Sequence, residues 1–123
     1  MNYATMQIIE TGNGGIMMSN GVYSIEDIQN IVFPIAKQHG VDRVYLFGSY
    51  ARGEATDNSD IDLCIDAAAL RGMIAMGALY ADLSDALKKK LDLITEKSLK
   101  YNTNERFLEN LRRERVLLYE HVQ

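Results

Sequence analysis

The residues with chemical potential are concentrated in LFGSYARGEATDNSDIDLCID, residues 46–66. An apolar run stops at Gly48-Ser49, and ten residues later Asp60 and Asp62 follow, separated only by Ile61. Carboxylates this close repel one another, and burial adds a desolvation cost unless a cation neutralises them. A third, Asp92, lies in a later apolar run, LDLIT, residues 91–95. All-oxygen ligands suit a hard cation, and Mg²⁺ in particular is held by a few carboxylates together with substrate phosphate. Gly48 permits close backbone approach, and Ser49 opens a turn whose free N–H groups suit phosphate oxygens. The chemistry expected is one or two metal ions at the carboxylates, with a triphosphate between them and the Gly-Ser turn.

The elements that must position these groups follow from periodicity. Ser24 and Asp27 form a capping box, Tyr23 and Ile28 a hydrophobic staple. Ile25, Ile28, Ile31, Val32 and Ile35 then keep helical spacing up to Gly40, with Pro34 expected to bend the helix. RVYLF (43–47), DIDLCI (60–65) and LDLIT (91–95) read as strands. Residues 67–89 read as a helix weakened by Gly72 and Gly77. A last helix is expected from Asn102 or Thr103 to about Glu120, anchored by Phe107, Leu108, Leu111, Val116 and Leu118.

A short link favours antiparallel pairing of the first two strands, and a long helical link favours a parallel crossover between the second and third. Gly48, Asp60 and Asp92 then meet at one rim of the sheet, and Asp62 shares a face with Asp60 because strand side chains alternate. The expected class is α/β (α+β), a small mixed sheet of at least three strands flanked by helices.

The pattern of Gly48-Ser49, ten residues, Asp60-Ile61-Asp62 and a later Asp92 resembles the nucleotidyltransferase superfamily signature. The fuller GSYARGEATDNSDIDL resembles the minimal nucleotidyltransferase (MNT) domains paired with HEPN toxins in toxin–antitoxin operons. The resemblance covers roughly residues 24–119 and implies the nucleotidyltransferase fold. It implies transfer of AMP from ATP to a hydroxyl, a tyrosine of the HEPN toxin partner, with release of pyrophosphate. It implies Asp60 and Asp62 as the metal-bridging pair, and Asp92 as the third carboxylate, holding the catalytic metal and helping to deprotonate the acceptor. Gly48 and Ser49 match the triphosphate-binding turn, and Arg52 a phosphate-compensating position. The implied cofactor is Mg²⁺, two ions, with Mn²⁺ as the alternative. The competing functional readings are a toxin-neutralising binding module without needed catalysis, and nucleotidyl transfer to a small molecule or RNA end. The sequence after Asp92 suffices for one helix rather than a second domain, so a partner chain is expected to supply the acceptor.

Composition bounds these readings. The chain has 123 residues, 47% hydrophobic and 24% charged, which suits one globular domain. A formal net charge of −4 and a pI near 5.1 argue against sequence-independent nucleic-acid binding, which needs surplus Lys and Arg. One cysteine excludes an internal disulfide framework and suits a reducing cytoplasm. No apolar run approaches the roughly 20 residues of a membrane helix. Residues 1–21, rich in Gly and Asn, are expected to form a flexible tail with Met17 or Met18 as alternative starts, and residues 22–123 the transferase domain.

The remaining polar residues read as structural. Cys64 is expected in the core, His39 and His121 on the surface, Asp57 and Asn58 in a turn, and Asp66 as a helix cap. Lys88–Lys90 suit a helix C-terminus, and the RRER run (112–115) a solvated helix face, with a partner or nucleotide contact as the alternative. The methionines, including Met73 and Met76, are read as core or interface filler.

Overall fold

The structure, a computed structural model, describes residues 21–68 and 70–122. The expectation of a flexible tail over residues 1–21 falls, apart from Gly21, outside the described residues. Helix α1 spans Ile25–Gln38, β1 Arg43–Phe47, α2 Gly48–Arg52 and β2 Ile61–Asp66. Helix α3 spans Gly72–Leu87 and β3 Leu91–Thr95, followed by a 3₁₀ turn over Lys97–Tyr101. Helix α4 spans Glu105–Glu114, and β4 is Val116–Glu120.

Local chemistry accounts for most of these limits. The Ser24 hydroxyl accepts from the Asp27 backbone N–H at 3.0 Å, and the Asp27 carboxylate accepts from the Ser24 N–H at 3.1 Å. Two of the otherwise unpaired donors of the first turn are thereby satisfied. Helix α1 runs on through Pro34, which lies on its exposed side, where water can serve the carbonyl that loses its donor. Helix α3 begins at Gly72, not at residue 67, and Asp66 does not cap it. Asp66 ends β2, its Oδ2 accepting from Arg43 Nη1 at 3.0 Å.

The sheet order is β3-β2-β1-β4. Strands β1 and β2 are antiparallel and β2 and β3 parallel, as the link lengths predict. The fourth strand corrects the expected last helix. Arg115 adopts ψ 148°, ending α4, and Val116–Glu120 turn back as an antiparallel neighbour of β1. The ladder slips between Val44 and Tyr45, so that Val44 faces Tyr119 while Tyr45 faces Leu117. Leu118 is the extra residue of this bulge. Leu118 and Tyr119 are consequently both buried in the same cluster, which strict alternation forbids.

Helices α1 and α3 cover one sheet face. Ile28, Val32, Leu79, Leu83 and Leu87 pack there on Val44, Leu46, Ile61, Leu63 and Ile65. Full burial of each such aliphatic side chain is worth about 1.5–3 kcal/mol, so this layer is the main source of stability. On the opposite face, α4 and the 3₁₀ turn place Leu111 and Leu99 against Phe47 and Cys64. The alternate residues of β2 that point this way are Asp62, Cys64 and Asp66, so the functional carboxylate lies under α4.

Candidate active site

Strand register brings the chemistry together. Asp62 is the antiparallel partner of Phe47 and the parallel partner of Asp92. The residue after Phe47 is Gly48, whose backbone therefore abuts the Asp62 side chain. A Cβ on Gly48 would stand 2.2 Å from Asp62 Oδ2, and the residue has φ +75°. Glycine is required twice here, for the close approach and for the left-handed backbone.

A cleft of about 490 Å³ opens above this row. Gly48, Arg52, Asp62 and Asp92 line its floor and one side, and α4 supplies Phe107, Asn110, Leu111 and Glu114. Burial pushes the Asp62 carboxyl up to about 6, and the charges of Asp92 and Asp60 and a hydrogen bond with Asp92 push the same way. The Arg52 charge opposes them. Asp92 is exposed on edge strand β3. Asp60 stands one residue before β2, with its Oδ2 3.9 Å from Lys90 Nζ. Asp62 and Asp92 are thus brought side by side, while Asp60 leans to the lysine. Among the described residues, no three His, Cys, Asp or Glu side chains are placed together so as to hold a metal ion.

Ser49 lies in the first turn of α2 and its carbonyl accepts from the Glu54 N–H at 2.9 Å. Arg52, at the end of α2, reaches the cleft wall. Its Nε donates to Glu54 Oε1 at 3.0 Å and its Nη1 to Glu114 Oε1 at 3.4 Å. Sequence reasoning takes Phe107 as an apolar anchor and Glu114 as part of the RRER run, without assigning either to the site, and passes over Asn110. Their spacing carried a usable signal: 107, 110, 111 and 114 mark one face of a helix.

Beneath the cleft the charged groups are paired. Arg115 bonds Glu96 and stacks 3.8 Å above the Tyr45 ring. Burial first, then the Glu96 charge, pushes the Cys64 thiol up to about 12, so it stays a neutral core group. His39 is tied rather than free on the surface, its Nε2 lying 2.7 Å from Asp82 Oδ2.

A mixed sheet carrying paired carboxylates opposite a glycine turn is an arrangement suited to moving nucleotides. A family model described as polymerase beta, nucleotidyltransferase matches residues 28–123, and the chain belongs to that family. A Methanocaldococcus jannaschii protein described as a protein adenylyltransferase is 34% identical over 62% of this chain and 82% of its own length. The protein adenylyltransferase MntA of Thermococcus cleftensis is 32% identical, covering 63% of this chain and 82% of that one. A solved toxin–antitoxin complex with AMP-PNP contains a chain 26% identical at a TM-score of 0.60, with 76% of this chain and 73% of that one covered. Among the described residues no helix is long and apolar enough to cross a membrane.

Proposed function

We propose that this chain is a cytoplasmic antitoxin of the protein adenylyltransferase type, moving AMP from ATP to a tyrosine hydroxyl of a HEPN-domain toxin. The observation that carries the reading is the Asp62–Asp92 pair in register beside Gly48, within a cleft that also holds Arg52. The similarity to adenylyltransferases, and to a toxin–antitoxin complex holding an ATP analogue, supports the nucleotide and the partner.

The residues present fit divalent metal. Burial, and after it the charges of Asp92 and Asp60, push the Asp62 carboxyl up to about 6, so a cation seated there would relieve an existing cost. Asp62 and Asp92, already side by side, would hold Mg²⁺ or Mn²⁺, and Asp60 would join them for a second ion by exchanging its contact with Lys90. When bound, such ions neutralise the carboxylates and act as Lewis acids toward the phosphates. The Gly48-Ser49 backbone takes triphosphate oxygens, and the Arg52 guanidinium offers charge compensation. Asp92, exposed at the sheet edge, faces the incoming hydroxyl and takes its proton as the new P–O bond forms. The bond between the α- and β-phosphates breaks, and pyrophosphate leaves.

The test is intact-mass analysis of a HEPN-domain protein, sought in the reading frame neighbouring this chain's, after incubation with ATP and Mg²⁺. Addition of AMP to the toxin by the wild type, absent with Asp60→Asn/Asp62→Asn, is the expected result. Toxin silenced equally well by the double variant would mean that contact alone neutralises it and that transfer is dispensable.

A further inference from the structure

Arg52 is the one cation among the described residues lining the cleft, and it is not free. Its Nε is engaged by Glu54 at 3.0 Å and its Nη1 by Glu114 at 3.4 Å, the latter reaching across from α4. Glu114 lines the same cleft as Asp62 and Asp92. With all groups ionised, the lining carries three carboxylates against one guanidinium. A metal-free triphosphate entering this space meets net repulsion, and the one cationic side chain lining it among the described residues is already paired. The Glu114 side chain is 27% exposed and that of Arg52 40%, so the pair stands within reach of solvent and salt, and the other Glu114 oxygen lies 3.5 Å from Arg113 Nη2.

We propose that Glu114 is a specificity-determining residue that holds Arg52 as an internal competitor of phosphate, so that the cleft rejects nucleotide not accompanied by divalent cation. The inference deepens the adenylyltransferase reading and rests on it for the identity of the ligand. Glu114 acts through Arg52: once metal has offset the charge of Asp62 and Asp92, the guanidinium exchanges the Glu114 carboxylate for a phosphate oxygen. Glu54 keeps its hold on Nε throughout, so the exchange turns the far end of the side chain and leaves α2 in place.

The experiment is equilibrium binding of ATP at fixed ionic strength, in EDTA and separately in Mg²⁺, to the full chain and its variants. Glu114→Gln keeps side-chain volume and removes the charge. It should tighten metal-free ATP binding at least about threefold, the size expected for releasing one exposed or half-exposed ion pair. The gain with Mg²⁺ should be smaller. Glu114→Ala should behave like Glu114→Gln, which excludes a special effect of the amide. The decisive comparison is the Arg52→Ala background, where adding Glu114→Gln should give a distinctly smaller gain, that of relieved repulsion alone, because the residue it acts through is gone. An equal gain in that background would overturn the proposal in favour of simple repulsion. Weaker binding in Glu114→Gln would overturn it in favour of direct ligation, and metal-free affinities unchanged in every variant would overturn it outright. Binding needs no acceptor protein, so failure of AMP transfer by the wild type with Mg²⁺ would sink the functional reading alone and leave this result standing.

Discussion

The Asp62 carboxyl, pushed up to about 6 from an ordinary value of 3.8, ties the site to folding stability. Its folded value is raised, so its contribution is fully present below about pH 4 and is lost as pH rises through about 6. At neutral pH without metal, the carboxylate should therefore be a liability that Asp62→Asn removes. The variant's melting temperature should exceed wild type by about 5 °C at about pH 7.5, equivalent to roughly 1 kcal/mol after solvent screening, and the gap should close by about pH 4. A pH-independent gap would mean the titration is not that of Asp62. Gly48 gives a second residue-scale prediction. Gly48→Ala meets both a 2.2 Å approach to Asp62 Oδ2 and a φ of +75°. The substitution should cost about 2–4 kcal/mol in chemical denaturation. Adding Asp62→Ala removes the clash with the carboxylate but leaves the Asp62 Cβ at 3.3 Å and the positive φ, so the double variant should recover part of the loss and not all. Full additivity of the two costs would show that the side chain yields freely. The residues Gly48, Asp62 and Asp92 were legible because a turn glycine and carboxylates inside apolar runs are conspicuous against their neighbours. Glu114 was not, because in LRRERV it is one charge among four and only the cleft distinguishes it.

At the scale of elements, β1 and β3 have the ends their sequences suggested, and β2 is displaced by one residue. Each is an apolar run bounded by turn residues, a pattern that depends little on tertiary context. Strand β4 was hidden for a physical reason. Its bulge places Leu118 and Tyr119 on one side, so VLLYE shows no alternation, and its leucines continue the spacing of α4. Only pairing with β1, a contact distant in sequence, makes it a strand. The two readings differ at adjacent leucines. Leu118 is buried in the main core, and Leu118→Ala should cost about 2–4 kcal/mol in urea unfolding. Leu117 is 44% exposed, and Leu117→Ala should cost less than about 1 kcal/mol. Costs in the reverse order would mean that residues 116–120 pack as a continuation of the helix.

At the scale of the whole molecule, long-range ties bind the described residues into one unit. The Tyr23 hydroxyl donates to the Leu87 carbonyl at 2.7 Å, fastening the lead-in of α1 to the end of α3. Gln29 Nε2 donates to the Leu118 carbonyl at 3.0 Å, fastening α1 to β4. The β1 edge, which a three-stranded sheet would leave open, is covered by β4, and among the described residues β3 has no partner on its outer side. We propose on this basis that residues 22–123 are the transferase domain and that residues 1–21 are dispensable to it. A chain starting at Met18 keeps every described residue, the capping box and all the proposed site groups. Its melting temperature should lie within about 3 °C of the full chain, with AMP transfer unchanged. The rival is that Met6, Ile8 and Ile9 add a strand, for which the outer side of β3 is the available edge. Because Asp92 sits on β3, that arrangement would move both stability and turnover. A fall of more than about 5 °C accompanied by slower transfer would place the N-terminal segment in the working fold. A fall in stability alone would place it elsewhere on the domain, away from the edge that carries Asp92.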